Sequence, residues 1–282
     1  MVKNTDYTSY DEIYYDFKNE PTFLDTEREN LTSNQFNPYD ESTSNVLFAY
    51  DDGNGHSTDG IYGNDDRKFL NASQYLQWPY RGVCQIFMDF YNSSGEIETY
   101  IGTGALIGPN MLLTASHCVY STELGWSTVV RAYPAYRNGS SKYSYASSIA
   151  AVIEVYYNTS DSNDDWAIIK LDSNIGNEVG YYGLEVAEIE TGTELKNVAY
   201  NGTTGLMSET LGQVYIAETY KFFHRIDAIA GSSGSPIFKG NSMNITGIHS
   251  AGIHEDNMDY NIACRVSKYL VNDWERLYKE WN

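Results

Sequence analysis

The sequence predicts an all-β body that ends in one α-helix and is preceded by an acidic segment of different character. Three observations carry this. From Tyr80 to Val266, short apolar runs alternate with Gly, Asn, Asp and Ser turns, the pattern of a barrel or a pair of barrels. Helical period occurs clearly only at the end, where Leu270, Val271, Trp274, Leu277, Tyr278 and Trp281 fall on one face. The first 59 residues hold thirteen acidic and three basic side chains, a net charge of −10, and their scattered Tyr and Phe follow neither period. Such a stretch buries little by itself and is expected to be mobile or draped over another domain.

Taken in order, Gly53-Asn54-Gly55 and Asp59-Gly60 are breaks, which divides the chain into 1–59 and 60–282. Runs 83–88 and 96–107 flank Asn92-Ser93-Ser94-Gly95 and read as a hairpin. Further strands are expected at 111–113, 127–132, 149–157, 166–171, 198–200, 213–218, 237–238, 245–248 and 262–266. Ser267 is a fitting N-cap for the helix, placed at about 267–281.

Composition excludes several classes. With 18 basic and 38 acidic side chains the formal charge is −20, which argues against nucleic acid and anionic membranes as partners. No run approaches the roughly 18 apolar residues of a membrane span. Three cysteines are too few for a disulfide-built scaffold. The opening Met1-Val2-Lys3-Asn4-Thr5-Asp6-Tyr7 lacks the apolar core of a signal peptide; export is either not encoded here or its signal has been trimmed.

The chemistry centres on Gly231-Ser232-Ser233-Gly234-Ser235-Pro236. Its glycines permit a tight turn and close approach of another molecule, and Pro236 leads into the apolar pair Ile237-Phe238. A serine nucleophile needs a base, and the base needs an orienting acid. His117, in Thr114-Ala115-Ser116-His117-Cys118, follows an apolar strand and can take and return a proton near neutrality. Asp165 directly precedes the apolar run Trp166-Ala167-Ile168-Ile169. Its carboxylate would be buried there and would require a donor such as an imidazole N–H. Read singly, each motif also fits a structural role: a serine-glycine loop, a core histidine, a solvated acid.

In the order His117, Asp165, Ser233, these motifs resemble the chymotrypsin-like serine peptidases, and among them the bacterial glutamyl endopeptidases. Gly104–Gly108, Thr114–Val119, Asp165–Leu171, Ala217–Lys221, Gly231–Pro236 and Ile248-His249 carry the likeness. The resemblance implies a chymotrypsin-like double β-barrel with the site in the cleft between barrels. Ser233 would attack a peptide carbonyl, His117 shuttle the proton and Asp165 hold the imidazole, while the Gly231 and Ser233 N–H groups form the oxyanion hole.

It further implies cleavage after Glu, less well after Asp, with His249 in the specificity pocket beside Ser250, Ala228 and Gly252. The family usually has a Thr or Ser where this chain has Ala228, so a preference for Asp or small residues is the alternative, and an inactive homologue serving as a binding module is another. Ser232 stands where trypsin has the Asp that pairs with a freed amine. Instead, Asn64-Asp65-Asp66-Arg67 resembles the motif near the mature start of glutamyl endopeptidases, so 1–59 becomes a propeptide with the cut after Asp59. Relatives often bridge the cysteine after the histidine to a position near Gly102; here a Cys84–Cys118 bridge stays open, and Cys264 reads as a buried free thiol. A secreted monomer acting on proteins or peptides, without cofactor or metal, is expected. The acidic turn Asp161-Ser162-Asn163-Asp164 offers calcium-type oxygens but reads as a solvated loop.

Overall fold

The computed structural model describes residues 13–15, 46–48, 59–154, 165–202, 204–255 and 258–282. Apolar runs too short for helices and punctuated by turn residues pair antiparallel with their sequence neighbours. The hairpin around Asn92 is formed by β4 (Val83–Tyr91) and β5 (Ile97–Gly108). Eight of the nine β4 residues are buried, because its inner side chains fill a barrel and its outer ones are covered.

The remaining strands of the first sheet are β6 (Met111–Thr114), β9 (Val129–Pro134), β10 (Ala146–Glu154) and β11 (Trp166–Leu171); β7 (Tyr120–Ser121) and β8 (Gly125–Trp126) form a separate ribbon. The order β10-β11-β6-β5-β4-β9 closes by a β9–β10 pairing into a six-stranded barrel. Two strands of the acidic segment join it. β1 (Ile13–Tyr15) pairs antiparallel with the β10 residues Ala151–Ile153, and β2 (Val46–Phe48) pairs in parallel with Thr99–Ile101 of β5. Both lie on barrel-strand stretches left open by β9 and β6, so they cover edges that would otherwise present unpaired N–H and C=O groups.

The second barrel is built from β13 (Glu194–Asn201), β14 (Leu206–Ala217), β15 (Lys221–His224), β16 (Pro236–Lys239), β17 (Asn244–Glu255) and β18 (Met258–Arg265). Its ring runs β17-β16-β13-β14-β15-β18 and closes through β17–β18; β3 (Lys68–Phe69) and β12 (Gly183–Leu184) pair outside it. A four-residue helix α1 (Gly176–Val179) lies between the barrels in sequence. The terminal helix α2 (Lys268–Trp281) begins where the Ser267 hydroxyl accepts from Leu270 N at 3.2 Å. It buries Leu270, Leu277 and Trp281, and Trp274 Nε1 donates to Ile107 O at 2.9 Å, which docks the helix on the first barrel.

All three cysteines are buried free thiols. The Cys84–Cys118 bridge does not form: Cys84 pairs across to Gly104 and Pro134 within its sheet, whereas the Cys118 thiol faces the Ser233 carbonyl at 3.9 Å. The turn 161–164 and the stretch 155–157 lie outside the described residues, as does most of 1–58.

Candidate active site

The geometry begins with strand register. β11 and β6 pair with Ala167 opposite Thr114, and continuing that register past the strand ends brings Asp165 alongside Ser116 and His117. Chain 116–118 is a single 3₁₀ turn. It presents the His117 ring so that Nδ1 lies 2.7 Å from Asp165 Oδ2. A carboxylate can only accept, so the proton sits on Nδ1 and the Nε2 lone pair faces outward.

Three further donors converge on Asp165. Ser116 Oγ and His117 N reach Oδ1 at 2.7 and 3.1 Å, and Ser250 Oγ reaches Oδ2 at 2.5 Å. Burial alone would raise this carboxyl, yet the His117 charge and the hydrogen bonds from His117, Ser250 and Ser116 outweigh it and hold the group well below the usual carboxylate range. For His117 burial works in the opposite sense, and the facing Asp165 carboxylate prevails, raising the imidazole well above its ordinary value. The sequence points to one donor for Asp165, the imidazole; the structure supplies four. Ser250, expected beside the specificity pocket, directs its hydroxyl to Asp165 in this structure.

Ser233 sits in the turn between β15 and β16. Gly231 has φ +97°, and a Cβ there would lie 2.6 Å from Gly202 N. Gly234 has φ +82°, and its Cβ would run into Thr114 Oγ1 and the Thr103 carbonyl. Both positions therefore require glycine, for angle and for space. Thr103, fully buried on β5, pins the turn to the first barrel: its hydroxyl donates to Gly231 O and its N–H to Ser233 O, both at 2.8 Å. Gly234 N donates to His249 O at 2.8 Å, and His249 N to Ser235 O at 2.9 Å. Among the described residues, the N–H groups of Gly231 and Ser233 have no protein acceptor. The Ser233 hydroxyl donates to Ser250 O at 3.5 Å, and no hydrogen bond joins it to His117 among the described residues.

The neighbouring pocket is centred on His249 of β17. Its Nε2 lies 2.9 Å from Asp59 Oδ1, with both side chains almost wholly buried. Behind it stands His224 of β15, with ring centroids 5.6 Å apart. Burial, then the adjacent His249, pushes His224 well below the usual histidine value, so it is neutral, and its Nδ1 accepts from Ile226 N at 3.2 Å. Ala228 is buried and offers no hydroxyl, and its N–H goes to Gly60 O at 3.1 Å. Gly252 pairs across to Asn261 on β18.

Asp227 and Asn261, which the sequence does not flag, hold the adjoining chain. Tyr62 N and Asp66 N donate to the two Asp227 oxygens at 2.7 and 2.9 Å. Gly60 N donates to Asn261 Oδ1 at 3.0 Å, and Asn261 Nδ2 returns to Gly60 O at 3.3 Å. An acid free in such a pocket would select Lys or Arg; Asp227 has both oxygens engaged by backbone. Its only signal in the sequence is a carboxylate flanked by apolar residues.

Comparison with known proteins places this arrangement. The trypsin family's profile matches residues 72–274. An extracellular metalloprotease of Bacillus subtilis (strain 168) is 32% identical over 220 residues, covering 76% of this chain and 68% of its own. A glutamyl endopeptidase of Bacillus licheniformis is 32% identical over 230 residues, covering 77% and 69%. A solved Glu endopeptidase in complex with MPD superposes with a TM-score of 0.67 at 29% identity, covering 78% of this chain and all of its own. Among the described residues no three His, Cys, Asp or Glu side chains group so as to hold an ion. No helix among the described residues is long and apolar enough to cross a membrane. The chain belongs to the trypsin family of serine peptidases.

Proposed function

We propose that this peptidase is an endopeptidase that cleaves after Glu, and less well after Asp, through His117, Asp165 and Ser233. The Ser233 hydroxyl turns from Ser250 O toward His117 Nε2 as substrate enters, since such bonds often tighten only in the complex. His117 takes the proton as Ser233 Oγ attacks the carbonyl carbon. The oxyanion accepts from the Gly231 and Ser233 N–H groups, which the turn leaves without protein acceptors. His117 returns the proton to the leaving amine, and water repeats the sequence on the acyl-enzyme. Asp165 holds the ring in the required tautomer throughout.

The observation that carries the acidic preference is His249 Nε2 against a buried carboxylate at 2.9 Å. A ring nitrogen that already holds a carboxylate can hold that of a substrate by the same charge-assisted bond. The glutamyl endopeptidase relatives support this assignment, and the extracellular relative supports a secreted enzyme. The test is purified enzyme beside Ser233→Ala on a peptide library varied at the residue before the cut. Turnover is expected to fall by roughly five to six orders of magnitude in the variant, with cuts concentrated after Glu. Near wild-type turnover in the variant overturns the mechanism, and cuts after small neutral residues overturn the specificity.

A further inference from the structure

The carboxylate held by His249 belongs to the chain itself. Resting on the acidic preference just argued, we propose that Asp59 is the acid pocket's own ligand in the uncut chain, and that Asp227 and Asn261 are the positioning residues that deliver residues 59 and 60 to it. Four observations bear on this. The Asp59 and His249 side chains are 6% and 1% exposed, so no substrate carboxylate reaches that nitrogen while Asp59 is there. Among the described residues Asp59 is the sole hydrogen-bond partner of the His249 ring, whose Nδ1 is buried without one. Gly60 is held on both sides, by Asn261 at its N–H and by Ala228 N and Asn261 Nδ2 at its carbonyl. Asp227 fastens the next residues through Tyr62 N and Asp66 N, and Arg67 Nη1 donates to Asn201 Oδ1 at 2.6 Å.

Hydrolysis of the Asp59–Gly60 bond then frees the pocket of its own carboxylate. Water supplies hydroxyl to the Asp59 carbonyl carbon, by way of the Ser233 acyl-enzyme, and a proton to Gly60 N. The Asp59 carboxylate leaves with the released segment. The new amino group remains at Gly60, which Asn261 holds at both its nitrogen and its carbonyl. One event thus removes the competitor for substrate from His249 Nε2.

The experiment uses the full chain and two serine-directed probes read by intact mass. One is diisopropyl fluorophosphate, which carries no acidic side chain; the other is a glutamyl diphenyl phosphonate, which must place its carboxylate in the pocket. On the uncut wild-type species the glutamyl probe is expected to react slowly relative to the fluorophosphate. In Asp59→Ala the ratio should rise about tenfold or more, the scale of one charge-assisted hydrogen bond, and Asp59→Asn should fall between them. Fluorophosphate labelling serves as the folding control for each. On chain whose N-terminus reads Gly60, the glutamyl probe should react fastest, and Asp227→Asn should raise KM for Glu peptides while leaving kcat close to its wild-type value. An unchanged ratio in both Asp59 variants overturns the proposal; if Gly60-start chain still favours the glutamyl probe, the acidic preference survives. A glutamyl probe slower than an alanyl diphenyl phosphonate, run as a further control on Asp59→Ala and on Gly60-start chain, overturns both. A wild-type KM in Asp227→Asn overturns its positioning role.

Discussion

Four donors meet at the Asp165 carboxylate, and the one it shares with His117 has a consequence that can be measured as a pH profile. The carboxylate raises His117 above its ordinary value, and His117 works as a base only when neutral. The acid limb of kcat/KM should therefore lie above the roughly pH 6.5 of a free imidazole. Asp165→Asn removes the negative charge that raises the ring, so the limb moves to lower pH. The amide also disturbs the tautomer, and kcat should drop by about 10⁴. Rates for wild type and variant from pH 5 to 9 check both effects, and a limb that stays in place separates His117 from Asp165. Much of this pair is legible in the sequence, because an acid placed just ahead of an apolar strand must be satisfied. Ser116 and Ser250 are not legible as its donors, since a serine hydroxyl looks the same in sequence whichever group it meets. Asp59, Asp227 and Asn261 are hidden for a different reason: the contacts that join them to His249 or to the backbone of 60–66 span more than 160 residues and leave no local pattern.

At the scale of elements, the nucleophile turn is a wedge between barrels whose fit depends on missing side chains. Gly234→Ala would place a methyl group into Thr114 Oγ1 and the Thr103 carbonyl at φ +82°, combining overpacking with backbone strain. The cost should reach about 3 kcal/mol or more. Gly95→Ala, at φ +79° with nothing within 4 Å, carries the strain alone and should cost about 1 kcal/mol. Thermal melts of the two variants beside wild type test this, and equal losses would show that the wedge yields. The strands themselves are legible where apolar residues run together, as at Trp166–Leu171. They read too short where one face is polar: β14 extends from Leu206 to Ala217 through Ser208, Glu209 and Thr210, which pair with β13 and look like loop in sequence. β15 escapes a sequence reading because Lys221–His224 is only four residues long, and its identity as a strand comes from β14 and β18 on either side.

The charge of the whole molecule would oppose an acidic substrate of the kind proposed for the His249 pocket. The full chain carries −20, and residues 1–59 account for −10 of it, so removing them halves the negative charge without changing its sign. Long-range repulsion would still slow the approach of an acidic peptide, so that under the proposed specificity capture would depend on the short-range contact at His249. Added salt shortens the Debye length from about 30 Å at 0.01 M to about 10 Å at 0.1 M, which screens the repulsion more than it weakens a buried hydrogen bond. For the chain cut at Gly60, kcat/KM toward a Glu peptide with further acids in its flanks should rise between these concentrations. A peptide of the same cleaved residue with neutral flanks should change less, and one with basic flanks should lose rate. Steady-state rates for the three peptides at fixed pH decide the matter. A fall for the acidic peptide would mean that a local positive field around Gly60 outweighs the net charge already at the stage of encounter.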